Sequence, residues 1–78
     1  MIFLIEYDRN QGQIVIFEKF DDSERRKAEE SRLELEIKLN RLGIEREVVL
    51  LEAETEEALR RTHRRYFEDL VELINASA

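Results

Sequence analysis

The sequence predicts an α+β fold with the element order ββαβα, and three observations carry this prediction. Three apolar runs are short enough for buried strands. Two longer segments repeat apolar residues at helical spacing. Turn or capping signals separate the elements from one another. The predicted strands cover about 1–8, 13–20 and 46–52, and the predicted helices cover about 22–42 and 55–74.

The first strand is apolar on both faces. Its run from Met1 to Ile5 contains no helix signal, and the cluster Arg9-Asn10-Gln11-Gly12 follows it. That cluster predicts a type I turn closed by a left-handed glycine, and therefore a hairpin to the second strand. Because both faces of such a strand need a cover, we expect it at the centre of the sheet.

Capping signals define the first helix. Asp21 and Glu24 have capping-box spacing, and Gly43 followed by Ile44 is typical of a left-handed helix ending. The predicted core stripe of this helix consists of Ala28, Ser31, Leu35, Leu39 and Leu42. Two further apolar residues, Leu33 and Ile37, lie on nearly the opposite side. They are either scattered surface residues or a contact pair for a second subunit.

The helix between strands two and three predicts that these strands run parallel through a right-handed crossover. Strand one then lies between them, which gives a mixed three-stranded sheet in the order 2-1-3. With both helices packed on one face, the other face would expose an apolar patch large enough for a homodimer, joined face to face or edge to edge through strand three. The hairpin register is open from sequence, so the candidate partner surface draws on both faces. It comprises Ile2, Phe3, Leu4, Ile5, Tyr7, Val49 and Leu51 of the strands and Leu33 and Ile37 of the first helix.

Composition supports a second subunit. The 78 residues make one predicted domain, 1–78, and a chain of this size buries only roughly 60% of its unfolded surface. The chain has no cysteine and one histidine, which excludes disulfides and thiolate or histidine-cluster metal sites. The net charge of −6 argues against general binding to nucleic acid or anionic membranes. Without a membrane-length apolar run or a basic leader, we expect a cytoplasmic protein without a cofactor.

The second predicted helix carries four arginines around the only histidine, His63. These arginines are Arg60, Arg61, Arg64 and Arg65. A basic patch beside an aromatic residue can bind phosphate or single-stranded nucleic acid. Acidic residues four positions away, such as Glu57 before Arg61, favour instead a solvated face of ion pairs. His63 lies in the apolar stripe, where it is a candidate pH-sensitive residue if it meets another subunit.

No catalytic constellation is evident in the sequence. The two glycines are explained by turns, so there is no glycine-rich phosphate loop. The polar residues that end strand one, Glu6 to Arg9, are explained by the turn that follows them. The sequence therefore predicts a small homodimeric interaction or accessory module that is not an enzyme. The alternative is phosphate or nucleic-acid binding through the four arginines.

Overall fold

The computed structural model describes residues 1–67 and confirms an α+β fold with the sheet order 2-1-3. The three strands are β1 (Ile2–Asp8), β2 (Gln13–Phe20) and β3 (Glu47–Glu52). Helix α1 (Arg25–Leu42) follows a 3-10 turn at Asp22–Glu24, and helix α2 (Glu56–Thr62) precedes one at Arg64–Tyr66. The predicted helical segment from residue 68 to residue 74 lies outside the described residues. None of the helices within residues 1–67 has the length and apolar character that a bilayer span requires.

The sheet is antiparallel throughout. β1 pairs antiparallel with β2 on one side and with β3 on the other, so Leu4 lies opposite both Glu18 and Leu50. β2 and β3 run parallel to each other as the crossover predicts, but β1 separates them. The expectation of a mixed sheet is corrected accordingly, because both hydrogen-bonded strand pairs within residues 1–67 are antiparallel.

The turn between β1 and β2 is built on Asp8 and Gly12. Asp8 Oδ1 accepts hydrogen bonds from the backbone N–H groups of Asn10 and Gln11 at 2.9 and 3.2 Å. The Gly12 N–H donates to the Asp8 carbonyl at 2.8 Å, and the φ of Gly12 is +65°. The left-handed glycine predicted from the sequence is therefore present.

The helix caps also follow the sequence signals. Glu24 accepts a hydrogen bond from the Asp21 N–H at 3.0 Å, and Thr55 Oγ1 accepts one from the Ala58 N–H at 3.0 Å. Gly43 has φ +66°, and the Ile44 N–H donates to the Leu39 carbonyl at 3.0 Å. This last bond is the six-residue closure of a Schellman ending, as predicted.

The two helices cover opposite faces of the sheet. Residues on one face of β1 pack against Ala28 and Leu35 of α1, while those on the other face pack against Leu59 of α2 and Tyr66. Successive residues of a strand point to opposite sides, so these two clusters lie on opposite faces. This corrects the prediction that both helices share one face. The apolar run of β1 requires two covers, and the chain supplies both.

The second helix is shorter than predicted. It ends at Thr62, where His63 has φ −124° and ψ 51°. The Thr62 hydroxyl donates to the Ala58 carbonyl at 2.9 Å, a side-chain bond that competes with the helix ladder and bends helices. The break turns Tyr66 toward the sheet, where its ring meets the Tyr7 ring edge-on with the centroids 5.1 Å apart.

Candidate functional site

Most strand residues of the predicted partner surface lie in the core. Five of them are at most 8% exposed because α1 and α2 cover the two faces of β1: Ile2, Phe3, Leu4, Ile5 and Tyr7. Val49 and Leu51 of β3 are partly buried against the cluster that contains Leu59. The structure therefore corrects the idea of an uncovered apolar face. A face-to-face dimer has no free sheet face on which to form within the described part of the chain.

The predicted contact pair on α1 is exposed. Leu33 is 56% and Ile37 is 44% exposed, on the side of the helix that faces away from the sheet. Leu42, which the periodicity places in the core stripe, is 60% exposed at the end of the helix. Ile37 and Leu42 share a shallow surface with Lys38 and Arg41. Leu33 and Ile37, four positions apart, share one side of the helix, whereas Leu42 lies away from them, so the three residues do not form one continuous stripe.

β3 is an edge strand with an apolar middle. In the order β2-β1-β3 it has one hydrogen-bonded neighbour, and no other described strand pairs with its outer side. Its register with β1 is regular from one end to the other, without a bulge. The four residues from Val48 to Leu51 are partly buried. Such a regular apolar edge offers backbone donors and acceptors to another strand.

β2 is the other edge strand, and it is protected. Glu6 lies opposite Ile16 and Tyr7 opposite Ile14, so Val15 has no partner on β1 and forms a bulge. Charged residues Glu18 and Lys19 are exposed farther along the strand. Bulges and charges of this kind are the usual means by which proteins block edge pairing.

Three of the four predicted anion-binding arginines are held by carboxylates. Arg60 lies 3.3 Å from Glu56 and Arg61 lies 3.3 Å from Glu57, both four residues apart on α2. The third, Arg65, lies 2.8 Å from the carboxylate of Glu47 in β3. Arg64 also has an interaction within the structure. The pair of Arg61 with Glu57 is the one that the spacing predicts, whereas Arg65 pairs with β3 instead of a helix neighbour, and the predicted partners at positions 68 and 69 lie outside the described residues. The observed pairs leave little free positive charge for a phosphate.

A polar cluster forms around Glu47, the first residue of β3. Arg9 Nη2 lies 2.7 Å from Glu47 Oε1, and Arg65 Nη2 lies 2.8 Å from Glu47 Oε2. Arg65 also donates to the Tyr66 hydroxyl at 2.6 Å. Burial alone would raise the pKa of Glu47, but hydrogen bonds from Arg9, Tyr66 and Arg65 outweigh it and lower the pKa to about 2. Burial, followed by the hydrogen bond to Glu47, raises the pKa of Tyr66.

A second polar cluster lies on the opposite face of the same sheet end. Arg46 Nε is buried and lies 3.4 Å from Glu6 Oε2 and 3.9 Å from Asp8 Oδ2. Glu6 itself is only 4% exposed. The sequence interpretation accounted for the polar end of β1 by the turn alone and overlooked its partners. The adjacent residues Arg46 and Glu47 could have indicated these partners. They stand at the start of a strand, where successive side chains point to opposite faces, so each face receives one charge.

A surface cleft of about 510 Å³ lies beside these clusters. It is bounded by the hairpin turn, the second half of α1 and the start of β3, and its polar lining includes Arg9, Glu36, Asn40 and Arg46. The two arginines in this lining are already engaged by Glu47 and Glu6. These two ion pairs occupy the arginine charges of the lining, although Arg46 Nε makes no hydrogen bond within the described residues.

His63 terminates α2 in the described structure. Its backbone N–H donates to the Leu59 carbonyl at 2.9 Å, and its ring lies 6.5 Å from the Tyr66 ring. The side chain is partly buried. The predicted pH-sensitive role depends on an assembly that places another chain at this position.

Within residues 1–67, no group of three histidine or acidic side chains is arranged to hold a metal ion. Comparison with known proteins adds no functional assignment: no family model, curated protein or solved structure matches the chain. The candidate site therefore rests on geometry alone. Among the described surfaces, the outer edge of β3 combines apolar side chains, regular backbone and the absence of the protection that β2 carries.

Proposed function

We propose that this protein is a non-enzymatic interaction or accessory module that binds a partner strand along the outer edge of β3. The observation that carries the proposal is the unprotected state of this edge, Val48–Leu51, in a sheet whose other edge is bulged and charged. Addition of a strand to an exposed edge is a common mode of recognition, in which backbone hydrogen bonds supply affinity and alternate side chains supply specificity. The homodimer predicted from the sequence is one form of this binding, because a strand edge also pairs with a copy of itself.

Other parts of the molecule support an interaction role over chemistry. The polar groups at the end of the sheet form ion pairs across it, Arg46 with Glu6 on one face and Glu47 with Arg9 on the other, and these pairs hold the hairpin to β3. We also propose a cytoplasmic location, in keeping with a cysteine-free sequence. Phosphate or nucleic-acid binding remains the alternative, but the carboxylates that pair with Arg60, Arg61 and Arg65 weigh against it.

The test is a fluorescence-polarisation titration with a labelled peptide that carries residues 46–53 of this chain, capped at both ends. A matched peptide has the same side chains but N-methyl groups on alternate backbone nitrogens, which removes strand-pairing donors and does not lower its hydrophobicity. We expect saturable binding of the first peptide and at least tenfold weaker binding of the second. Equal binding of the two peptides would show that the contact is apolar adhesion and would contradict edge pairing. Absence of binding by a chain that is also monomeric would contradict the proposal as a whole.

A further inference from the structure

Along β3, residues whose backbone groups bond to β1 alternate with residues whose backbone groups point outward. The hydrogen bonds between Met1 and Ala53 show which residues belong to each set. The Ala53 N–H donates to the Met1 carbonyl at 3.1 Å, and the Met1 nitrogen donates to the Ala53 carbonyl at 3.0 Å. Residues that exchange both bonds form a hydrogen-bonded pair, and such pairs recur at every second residue of an antiparallel ladder. In β3 the residues bonded to β1 are therefore Glu47, Val49 and Leu51. The residues with outward N–H and C=O groups are Val48, Leu50 and Glu52.

This phase selects one register for pairing with a second copy. Two identical edge strands that pair antiparallel are related by a two-fold axis perpendicular to the sheet. Residues that lie opposite each other then point to the same face of the sheet. The axis therefore passes midway between the two copies of one residue. With the axis at Leu50, Leu50 pairs with itself and Val48 pairs with Glu52, and all outward groups are used, giving roughly six hydrogen bonds. With the axis at Val49, Glu52 has no pairing partner within β3 of the second copy, and about four hydrogen bonds form.

Helix α1 is placed to pair with its own copy in the same arrangement. It packs over both β1 and β3. Arg25 near its start bonds to Glu52 at the end of β3, while Glu36 in its second half lines the cleft with Val48. The helix therefore runs opposite to β3. Since neighbouring strands are about 4.8 Å apart, the two copies of α1 would lie roughly 10 Å apart, which is a normal helix-packing distance.

The charges on the β3 side of α1 are complementary under this two-fold axis. Four residues at spacings of four, three and four alternate in sign along the helix: Arg25, Glu29, Arg32 and Glu36. A two-fold axis midway between Glu29 and Arg32 sets Arg25 against Glu36 and Glu29 against Arg32. The contacts of Arg25 with Glu52 and of Glu36 beside Val48 bracket Leu50, so this midpoint falls near Leu50. The charge pattern is thus compatible with the axis that the backbone phase favours, and within one chain Arg25 also bonds to Glu52 and Arg32 lies 3.9 Å from Glu36.

We propose that the partner strand is β3 of a second copy of this chain, paired antiparallel with Leu50 on the two-fold axis. The proposal rests on the edge-binding function described above and specifies its partner. The product is a continuous six-stranded sheet with the two α1 helices side by side on one face. Leu33 and Ile37, which are 56% and 44% exposed in the single chain, are not needed for this pairing.

The test begins with the mass of the full chain by sedimentation over a range of micromolar concentrations. We expect twice the 9.4 kDa chain mass at the upper end. Since the chain lacks cysteine, single cysteines then report the register on oxidation. Leu50→Cys should form a disulfide-linked dimer, whereas Val49→Cys and the surface control Leu33→Cys should not. A dimer linked through position 49 or 33 in preference to position 50 would overturn the proposed axis.

Charge variants test the axis without altering β3. Arg32→Glu should weaken dimerisation at least tenfold, and the exchange Glu29→Arg with Arg32→Glu should restore it. Loss of association in both variants, or in neither, would contradict the pairing across the axis. A monomeric chain that still binds the labelled peptide of residues 46–53 would overturn the second copy as partner and leave the edge-binding function standing.

Discussion

The two edges of the sheet differ in a way that their composition alone does not reveal. Both β2 and β3 contain four consecutive apolar residues. In β2 the bulge at Val15 interrupts the pairing, and Glu18 and Lys19 place charges on the same strand. In β3 the register is regular, and its only charged residues stand at its two ends. Edge strands that proteins keep apart are normally protected, and the proposed pairing at β3 rests on this contrast.

Proline substitutions at two adjacent positions of β3 should give the largest difference in stability and association. Val49→Pro removes a donor to β1 and places a ring inside the sheet, and we expect it to lower the free energy of unfolding by about 3 kcal/mol or more. Val48→Pro removes a donor that points outward, so the chain should stay folded and lose its association. Urea unfolding followed by circular dichroism, together with sedimentation, measures both effects. Equal destabilisation by the two prolines would show that the outer edge is already occupied within the chain.

A smaller change in stability is expected from the ion pairs around Glu47. They hold the start of β3, and the contacts described for β2 include no similar cluster. The pKa of Glu47 is lowered from 4.5 to about 2 in the folded chain. Its contribution to stability is therefore complete above about pH 4.5 and is lost as the pH falls toward 2. After allowance for the exposure of its arginine partners, Glu47→Gln should cost roughly 1–2 kcal/mol at pH 7.

The measurement is urea unfolding of wild type and Glu47→Gln at one protein concentration and several pH values between 7 and 2.5. The difference between the two proteins should shrink as the pH falls. Glu57→Gln is the matched control, because Glu57 pairs with Arg61 at the surface and its side chain is 85% exposed. That control should change stability by less than about 0.5 kcal/mol at any pH. A pH-independent difference for Glu47→Gln would mean that its ion pairs do not stabilise the fold.

Local signals in the sequence sufficed for the elements and their order. Gly12 and Gly43 each have a positive φ where the turn chemistry requires one, and the apolar run of β1 correctly predicts a central strand. These features depend on residues close to one another in the chain. The end of α2 is a local feature that was missed, because the apolar periodicity continues past Thr62 while its hydroxyl bonds back to Ala58.

The side of the sheet on which each helix packs was beyond the reach of periodicity. A helical stripe shows that a helix has a buried face, but it does not show which face of the sheet that stripe meets. Because β1 is apolar on both faces, each face of the sheet needs an element packed against it. The prediction that both helices lie on one face conflicted with that requirement. Contacts such as Glu47 with Arg65 join residues 18 positions apart, and the outward phase of β3 depends on its register with β1. Neither follows from spacing along the chain.

The smallest expected effect distinguishes the β3 edge from the outer side of α1, where Leu33 and Ile37 are exposed. Ile37 and Leu33 are half exposed and face away from the sheet, so their replacement by glutamine should change the free energy of unfolding by less than about 0.5 kcal/mol. The mass of the chain and its affinity for the peptide of residues 46–53 should not change. If Ile37→Gln or Leu33→Gln dissociates the dimer while Val48→Pro does not, the helix is the contact and the contrast between the two edges has no bearing on assembly.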